Sequence, residues 1–358
     1  MRIVTSDSGS HTLSDWRAVT SLSLGDDLVD ADSLDWGRVF VLATNQRCAP
    51  LAWLRNGALI RAHAPPAVVA QWRLSAFAAS EHARDRASHL AALLHSFAGL
   101  GIEAVVLKGL PLSVKLYGEP WARPLSDTDL YVSLEQRATA HQLLVANGWT
   151  HVYGDLSREG TYRRDEVAGP HFLEVHSSLV DENLLTHVSL DAPQAEEVPV
   201  AGRSMLAHDG ALLPIFLAIH LAKHPHVPLL WWIDFLTVRR AFGEQRWSEV
   251  RTLAGRHKLD RFLEWAIAAS DDLPRVASSD DADALAALTR LRRRHARSQV
   301  ARLVTLTVPL RDRFRICAAW VFPYAQRRTP LTLARRTLRR CVEWRARRGG
   351  PFRHASAL

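Results

Sequence analysis

IEAVVLKGLPLSVKLYGEPWARPLSDTDLYV, residues 102–132, is where the hydrophobic period of this chain changes. Upstream, Ala83, Ala87, Leu90, Leu94 and Phe97 recur at spacings of 4-3-4-3, the mark of one helix face. IEAVVL (102–107) is instead a short β-branched run and reads as a buried strand. It ends at Lys108-Gly109, and PLSVKLY (111–117) predicts a short helix. The loop GEPWARPLS (118–126) carries two prolines and delivers DTDLYV (127–132), a second strand.

Outward from this stretch the pattern stays mixed. Ser133 with Gln136 predicts a capping box for a helix over 134–147, which Gly148 ends. WTHVY (149–153) and HFLEVH (171–176) read as two further strands. DAPQAEEVPVAG (191–202) reads as an acidic linker, and beyond it the chain is expected to be mostly helical, with a loop at 270–281. On the other side, 36–97 reads as helical and AGLG (98–101) as its stop. The resulting expectation is an α+β protein. A weakly ordered acidic N-terminus (1–35) precedes a helical region (36–99) and a small α+β core (100–190). A helical C-terminal domain (203–326) and an Arg-rich tail (327–358) follow. No internal repeat at a period of 20–50 residues is visible, which argues against a solenoid.

Composition narrows the class. The chain has 358 residues, 47% hydrophobic and 23% charged, as ordinary globular proteins have. Its longest apolar stretches, 211–222 and 227–238, are shorter than the ~18–20 residues a membrane span needs. With no apolar N-terminal segment, it reads as a soluble cytoplasmic chain. Cys48, Cys317 and Cys341 lack metal or disulfide spacing and suggest reduced thiols. The net charge of +8 is uneven. Residues 1–35 hold seven Asp and two Arg, whereas 311–353 hold thirteen Arg against Asp312 and Glu343. That basic segment is either a solvated helical face or a dock for nucleic acid, anionic lipid or an acidic partner. There is no G-x-S-x-G, H-E-x-x-H or Walker loop, so those hydrolase and P-loop readings fall away.

Chemistry points to Asp127 and Asp129. At i and i+2 on a strand, their carboxylates share a face. Two like charges so close cost free energy unless a cation stands with them. Hard oxygen ligands without thiolates favour Mg²⁺ or Mn²⁺. Glu174 on HFLEVH is the natural third ligand. Taken alone, a D-x-D is short enough to be a solvent-facing loop cap; its context argues otherwise. Strand, Lys-Gly, short helix and D-x-D strand is the order a phosphate site uses. Gly109 admits close backbone approach, and the helix start at Leu110 offers free N–H groups. Lys108 supplies a point charge, its alternative being an ordinary surface lysine. Arg123 supplies a bidentate fork, unless it serves a surface salt bridge.

The histidines remain open. His176 shares a strand face with Glu174 and either orients a metal-bound group or the acceptor, or packs as a core histidine. His220, His224 and His226 with Asp234 can be drawn as a metal cluster. The plainer reading packs them and Trp231/Trp232 against the core, and an intermediate one has a member touching substrate.

LKGLPLSVKLYGEPWARPLSDTDLYV, with HFLEVHSSL (171–179), LAIHLAKH (217–224) and LLWWIDFLTV (229–238), resembles an uncharacterised bacterial nucleotidyltransferase family. That family belongs to the DNA polymerase-β-like nucleotidyltransferase superfamily, and the resemblance covers about residues 60–265. It implies a polymerase-β-like core between helical regions, with Asp127, Asp129 and Glu174 as the catalytic and metal-binding carboxylates. Gly109 would mark the superfamily's glycine turn. Leu110 stands where the wider superfamily has Ser or Gly, and the gap to the first Asp is longer. The implied activity is Mg²⁺- or Mn²⁺-dependent transfer of a nucleoside monophosphate from an NTP to an acceptor hydroxyl, releasing pyrophosphate. Similarity to proteins encoded beside peptide natural-product genes, lasso peptides among them, adds a peptide or protein as acceptor. A small molecule is the alternative, and RNA is less favoured. The rival readings are a non-catalytic module that binds peptide, nucleotide or RNA, and transfer of a different group during peptide maturation.

Overall fold

The computed structural model describes residues 11–28, 30–155, 159–166, 169–179, 190, 192–224 and 227–294. All fall within the compact unit formed by residues 1–307. Four helices come first: α1 (Leu13–Leu24), α2 (Trp36–Asn45), α3 (Ala49–His63) and the 34-residue α4 (Pro66–Gly99). The mixed segment follows as β1 (Ala104–Val106), α5 (Leu110–Tyr117), β2 (Thr128–Val132), α6 (Arg137–Ala146), β3 (Thr150–Asp155), β4 (Glu159–Glu166) and β5 (Gly169–His176). A hairpin of β6 (Gln194–Val200) and β7 (Arg203–Asp209) precedes the last helices. These are α7 (Leu212–Lys223), α8 (Leu229–Arg256), α9 (Asp260–Ser270), α10 (Asp272–Ser278) and α11 (Asp281–Arg294). The fold is α+β.

The seven strands form one mixed sheet in the order β3-β4-β5-β2-β1-β7-β6. β1 and β2 are antiparallel, while β2–β5 and β1–β7 are parallel. Parallel neighbours need long crossovers, which places helices over the sheet. One face is dry: Ala83, Leu90, Leu93 and Phe97 of α4 and Leu144 of α6 pack on Val106, Leu130, Val132, Leu173 and Val175. Within α4, Leu93 rather than Leu94 completes the buried stripe, and Leu94 lies at its margin. Strand alternation then sends Asp129, Glu174 and His176 to the opposite face.

Several local expectations change. The N-terminal stretch expected to be weakly ordered contains α1, started by a Thr12/Asp15 capping box and buried through Ala18, Val19 and Leu22. Thr20, Ser21 and Ser23 are buried beside those residues, so hydrophobic periodicity understates the helix. The helix after β2 starts at Arg137, without a side-chain cap. Gln136 is spent elsewhere: its amide donates to Gly101 O at 2.7 Å and accepts from Glu103 N at 3.3 Å, tying down the entry to β1.

The acidic stretch expected as a linker is β6, turned into β7 through Ala201 and Gly202, both at positive φ. That two-residue loop matches the right-handed twist of the strands. β6 lies at the sheet edge, where Pro199 and outward acids are tolerated. The expected helical domain from 203 therefore opens with a strand, and its helices begin at Leu212. The expected loop at 270–281 contains α10, fastened by Asp272, which pairs with Arg290 at 3.0 Å while 2% exposed. His226 and the tail 327–358 lie outside the described residues. Among the described residues, no helix is long and apolar enough to cross a membrane.

Candidate active site

The site forms where three strand ends meet. β1 ends at Val106, so Lys108 and Gly109 leave the sheet at its tip. β2 returns antiparallel, bringing Asp127 and Asp129 to the same edge, and Leu107 N donates to Asp129 O at 2.9 Å. β5 runs parallel to β2 in a register that sets Asp129 beside Glu174 and Tyr131 beside His176. Three chain segments thus converge at one corner of the sheet.

The side chains follow that framework. Lys108 Nζ lies 3.1 Å from Asp129 Oδ2 and 4.0 Å from Asp127 Oδ2. His176 Nε2 is 3.3 Å from Asp129 Oδ1 and 3.6 Å from Glu174 Oε2. Ligand atoms of Asp129, Glu174 and His176 lie within 4.8 Å of one another, so these three could share a cation. Asp127 stands at the rim, 31% exposed, where it accepts from Ser126 Oγ at 2.8 Å. Of the three carboxylates read from the sequence, two are adjacent and the third borders them.

The electrostatics are those of a buried charge cluster. Asp129 and Lys108 are 4% and 5% exposed at the side chain. Burial alone pushes the Asp129 carboxyl up, but the Lys108 ammonium and the His176 imidazole outweigh it and hold it well below the usual carboxylate range. Lys108 also meets His220 Nε2 at 3.3 Å and lies 5.8 Å from the Trp231 ring centroid, a cation–π distance. His220, His224 and Trp231 pack as an aromatic group, with His220–His224 and His220–Trp231 centroids both 4.5 Å apart. Among the described residues, neither His220 nor His224 joins a group of three close ligand atoms. His220 instead backs Lys108, a contact across 112 residues.

The glycine turn has the conformation its position demands. Gly109 sits at φ 84°, ψ −130° and caps α5, a combination only glycine adopts without strain. The Leu110 side chain is in the core at 2% exposed, so only its backbone N–H can face a ligand.

Arg123 is placed differently from a phosphate fork. It is buried, its Nε donates to Asp234 Oδ2 at 2.8 Å, and Tyr117 donates to Asp234 Oδ1 at 2.5 Å. Burial lowers the Arg123 pKa, but Asp234 outweighs it and raises it overall; burial and the same carboxylate raise the Tyr117 phenol. Asp234 thus orders the 118–126 loop by clamping Arg123 and Tyr117.

Sequence reasoning missed Arg47. It follows α2 with φ 59°, donates to Ser126 Oγ at 3.3 Å and lies 6.0 Å from the Trp231 centroid. Burial and then Arg123 lower its pKa, opposed by Asp127. No local signal marks it, because its partners are 79 or more residues away.

Residues 32–273 match the family described as uncharacterised nucleotidyltransferase. Among solved structures, one similar to this chain is an antigenic nucleotidyltransferase-like protein from Paracoccidioides brasiliensis. It is 15% identical, with 52% of this chain and 93% of that chain covered and a TM-score of 0.33. No curated protein matches.

Proposed function

The chain belongs to the uncharacterised nucleotidyltransferase family, and from that premise we propose that it transfers a nucleoside monophosphate from an NTP to an acceptor hydroxyl. One observation carries the reading. The β2–β5 register sets Asp129 against Glu174, with Asp127 two residues upstream, facing a Lys108-Gly109 turn. Carboxylates and a lysine-glycine turn thus stand side by side at one corner of the sheet, as charge stabilisation of an α-phosphate displacement requires.

Asp127, Asp129 and Glu174, with His176, are the residues that would hold Mg²⁺ or Mn²⁺. Such an ion supplies charge neutralisation on the phosphates and acidifies a bound hydroxyl. Glu174, 28% exposed, is open to the acceptor and takes its proton. The acceptor oxygen forms a bond to the α-phosphorus as the bond to the β-phosphate oxygen breaks, and pyrophosphate leaves. Lys108 and the Leu110 N–H face that leaving charge, and His220 and Trp231 hold Lys108 in place. Arg47, beside Ser126, is a further cation for the triphosphate. The acceptor we propose is a peptide or protein, on the resemblance of the chain alone.

One observation favours the non-catalytic alternative: the Lys108 ammonium already pairs with Asp129, and His176 stands beside the same carboxylate. Calorimetry with each ribonucleoside triphosphate, with and without Mg²⁺ or Mn²⁺, separates the two. Metal-dependent binding that is lost in Asp127→Asn/Glu174→Gln supports the transferase. Binding indifferent to metal and to those substitutions, or no binding by folded protein, supports a nucleotidyltransferase-like binding module.

A further inference from the structure

A second cluster lies on the other face of the sheet. On β5, His171 points to the core side with Leu173 and Val175, away from Glu174 and His176. It meets Asp85 and His89, which are four residues apart on α4 and so share one helix face. His171 Nε2 is 3.6 Å from Asp85 Oδ2, and His89 Nδ1 is 3.5 Å from Asp85 Oδ1. The two imidazoles stand edge to face, their centroids 5.1 Å apart.

Three atoms in this cluster are buried without a hydrogen-bond partner: Asp85 Oδ2, His89 Nδ1 and His171 Nε2. His171 is the telling one, because its side chain is only 5% exposed. An unsatisfied buried imidazole nitrogen costs free energy, and here three such atoms point into one space. We propose that Asp85 Oδ2, His89 Nδ1 and His171 Nε2 form a zinc-binding site.

The geometry suits that ion. Zinc bonds of about 2.0–2.1 Å in a tetrahedron set ligand atoms about 3.3–3.4 Å apart; His171 Nε2 and Asp85 Oδ2 are 3.6 Å apart, and ligand atoms of all three residues lie within 4.8 Å of one another. Two imidazoles and one carboxylate select zinc over magnesium, which wants oxygen alone. The outer partner is present as well. His89 Nε2, the nitrogen left over, faces Glu166 Oε2 at 3.6 Å, and Arg164 Nε holds Glu166 at 2.6 Å. A carboxylate behind a ligating histidine fixes its tautomer and raises its basicity. Asp85 and His89 are 38% and 32% exposed at the side chain, so the cluster lies close to the surface. The bound ion fastens α4 to β5, independently of the carboxylates at the opposite face.

The test uses the full chain, stripped with chelator and titrated with Zn²⁺ alone, with Co²⁺ absorption reporting tetrahedral geometry. The parent for comparison is Glu174→Gln/His176→Gln, which removes the other candidate ligand group. One equivalent of zinc should bind to this parent, raise its Tm and give the tetrahedral cobalt spectrum. Adding His89→Ala, or independently Asp85→Asn, should weaken zinc at least 100-fold and abolish the Tm rise. Both positions are open to solvent, so neither change hollows the core. Glu166→Gln should keep one equivalent but weaken it about 10- to 100-fold. A parent that binds no zinc, or one whose zinc affinity and cobalt spectrum survive both His89→Ala and Asp85→Asn, overturns the proposal.

Discussion

Asp129 shows how structure changes what a substitution means. As a strand carboxylate beside Asp127 it suggests a clean Asn replacement. In the fold it is the buried partner of Lys108, so Asp129→Asn also leaves that buried ammonium with only the rim carboxylate of Asp127, 4.0 Å away. Breaking such a pair costs about 3–5 kcal/mol. Thermal unfolding should therefore show Asp129→Asn strongly destabilised. Glu174→Gln should lose about 100-fold or more in turnover at nearly unchanged Tm, because Glu174 is partly exposed. A Glu174→Gln protein that turns over normally would remove Glu174 from the chemistry. Arg123 teaches the converse. Its neighbouring loop suggests a phosphate contact, but Asp234, 111 residues on, holds it first.

At the scale of elements, the Lys108-Gly109 turn links β1 to α5 and decides where the helix start points. A side chain at 109 would sit at φ 84°, ψ −130°, a region costing about 1–3 kcal/mol for any residue with a Cβ. Space is not the obstacle, since the added carbon would be 3.4 Å from Leu125 Cδ2. Gly109→Ala should lower the unfolding free energy from urea titration by that amount, shifting the midpoint down, and weaken nucleotide more than it perturbs the rest of the fold. An unchanged midpoint would mean that the turn relaxes freely. Other elements were less legible. The 191–202 stretch reads as a linker because its turn is Ala-Gly rather than Asn-Gly and its edge strand is acidic, and β7 falls in a stretch expected to be helical. α1 is hard to read because Thr20, Ser21 and Ser23 are buried alongside Val19 and Leu22 and carry little hydrophobic signal.

For the molecule as a whole, acid stability has a traceable source. His208 on β7 is 2% exposed, and neither ring nitrogen has a hydrogen-bond partner. Burial pushes its pKa down to about 3, with Asp209 opposing and Lys115 assisting. The unfolded chain binds that proton near pH 6.5, and the folded one does not until about 3. More protons are bound unfolded across that window, so stability is full above 6.5 and is lost as pH falls. Between pH 6.5 and 5 this residue should remove about 2 kcal/mol from the unfolding free energy. His208→Leu should flatten that slope in urea titrations, and a slope unchanged by it would point to other histidines. The depressed Asp129 acts in the same direction but lower, as pH falls below the ordinary carboxylate range.

The amino-acid order by itself determined where period-2 runs and helical stripes alternate. It also put Lys108-Gly109 directly after one strand and D-x-D at the start of the next. These features are local: they follow from backbone propensity, turn chemistry and side-chain alternation over a few residues. Only the tertiary structure decided that Asp129 stands beside Glu174, that Lys108 rests on His220 and Trp231, and that Arg47 reaches Ser126. It alone assigned Arg123 to Asp234 and brought Asp85 and His89 to His171. Those pairings span 45 to more than a hundred residues, and burial rewards them only once the sheet and helices have closed around them. A buried charge takes whichever partner packing presents, and no spacing along the chain encodes that choice.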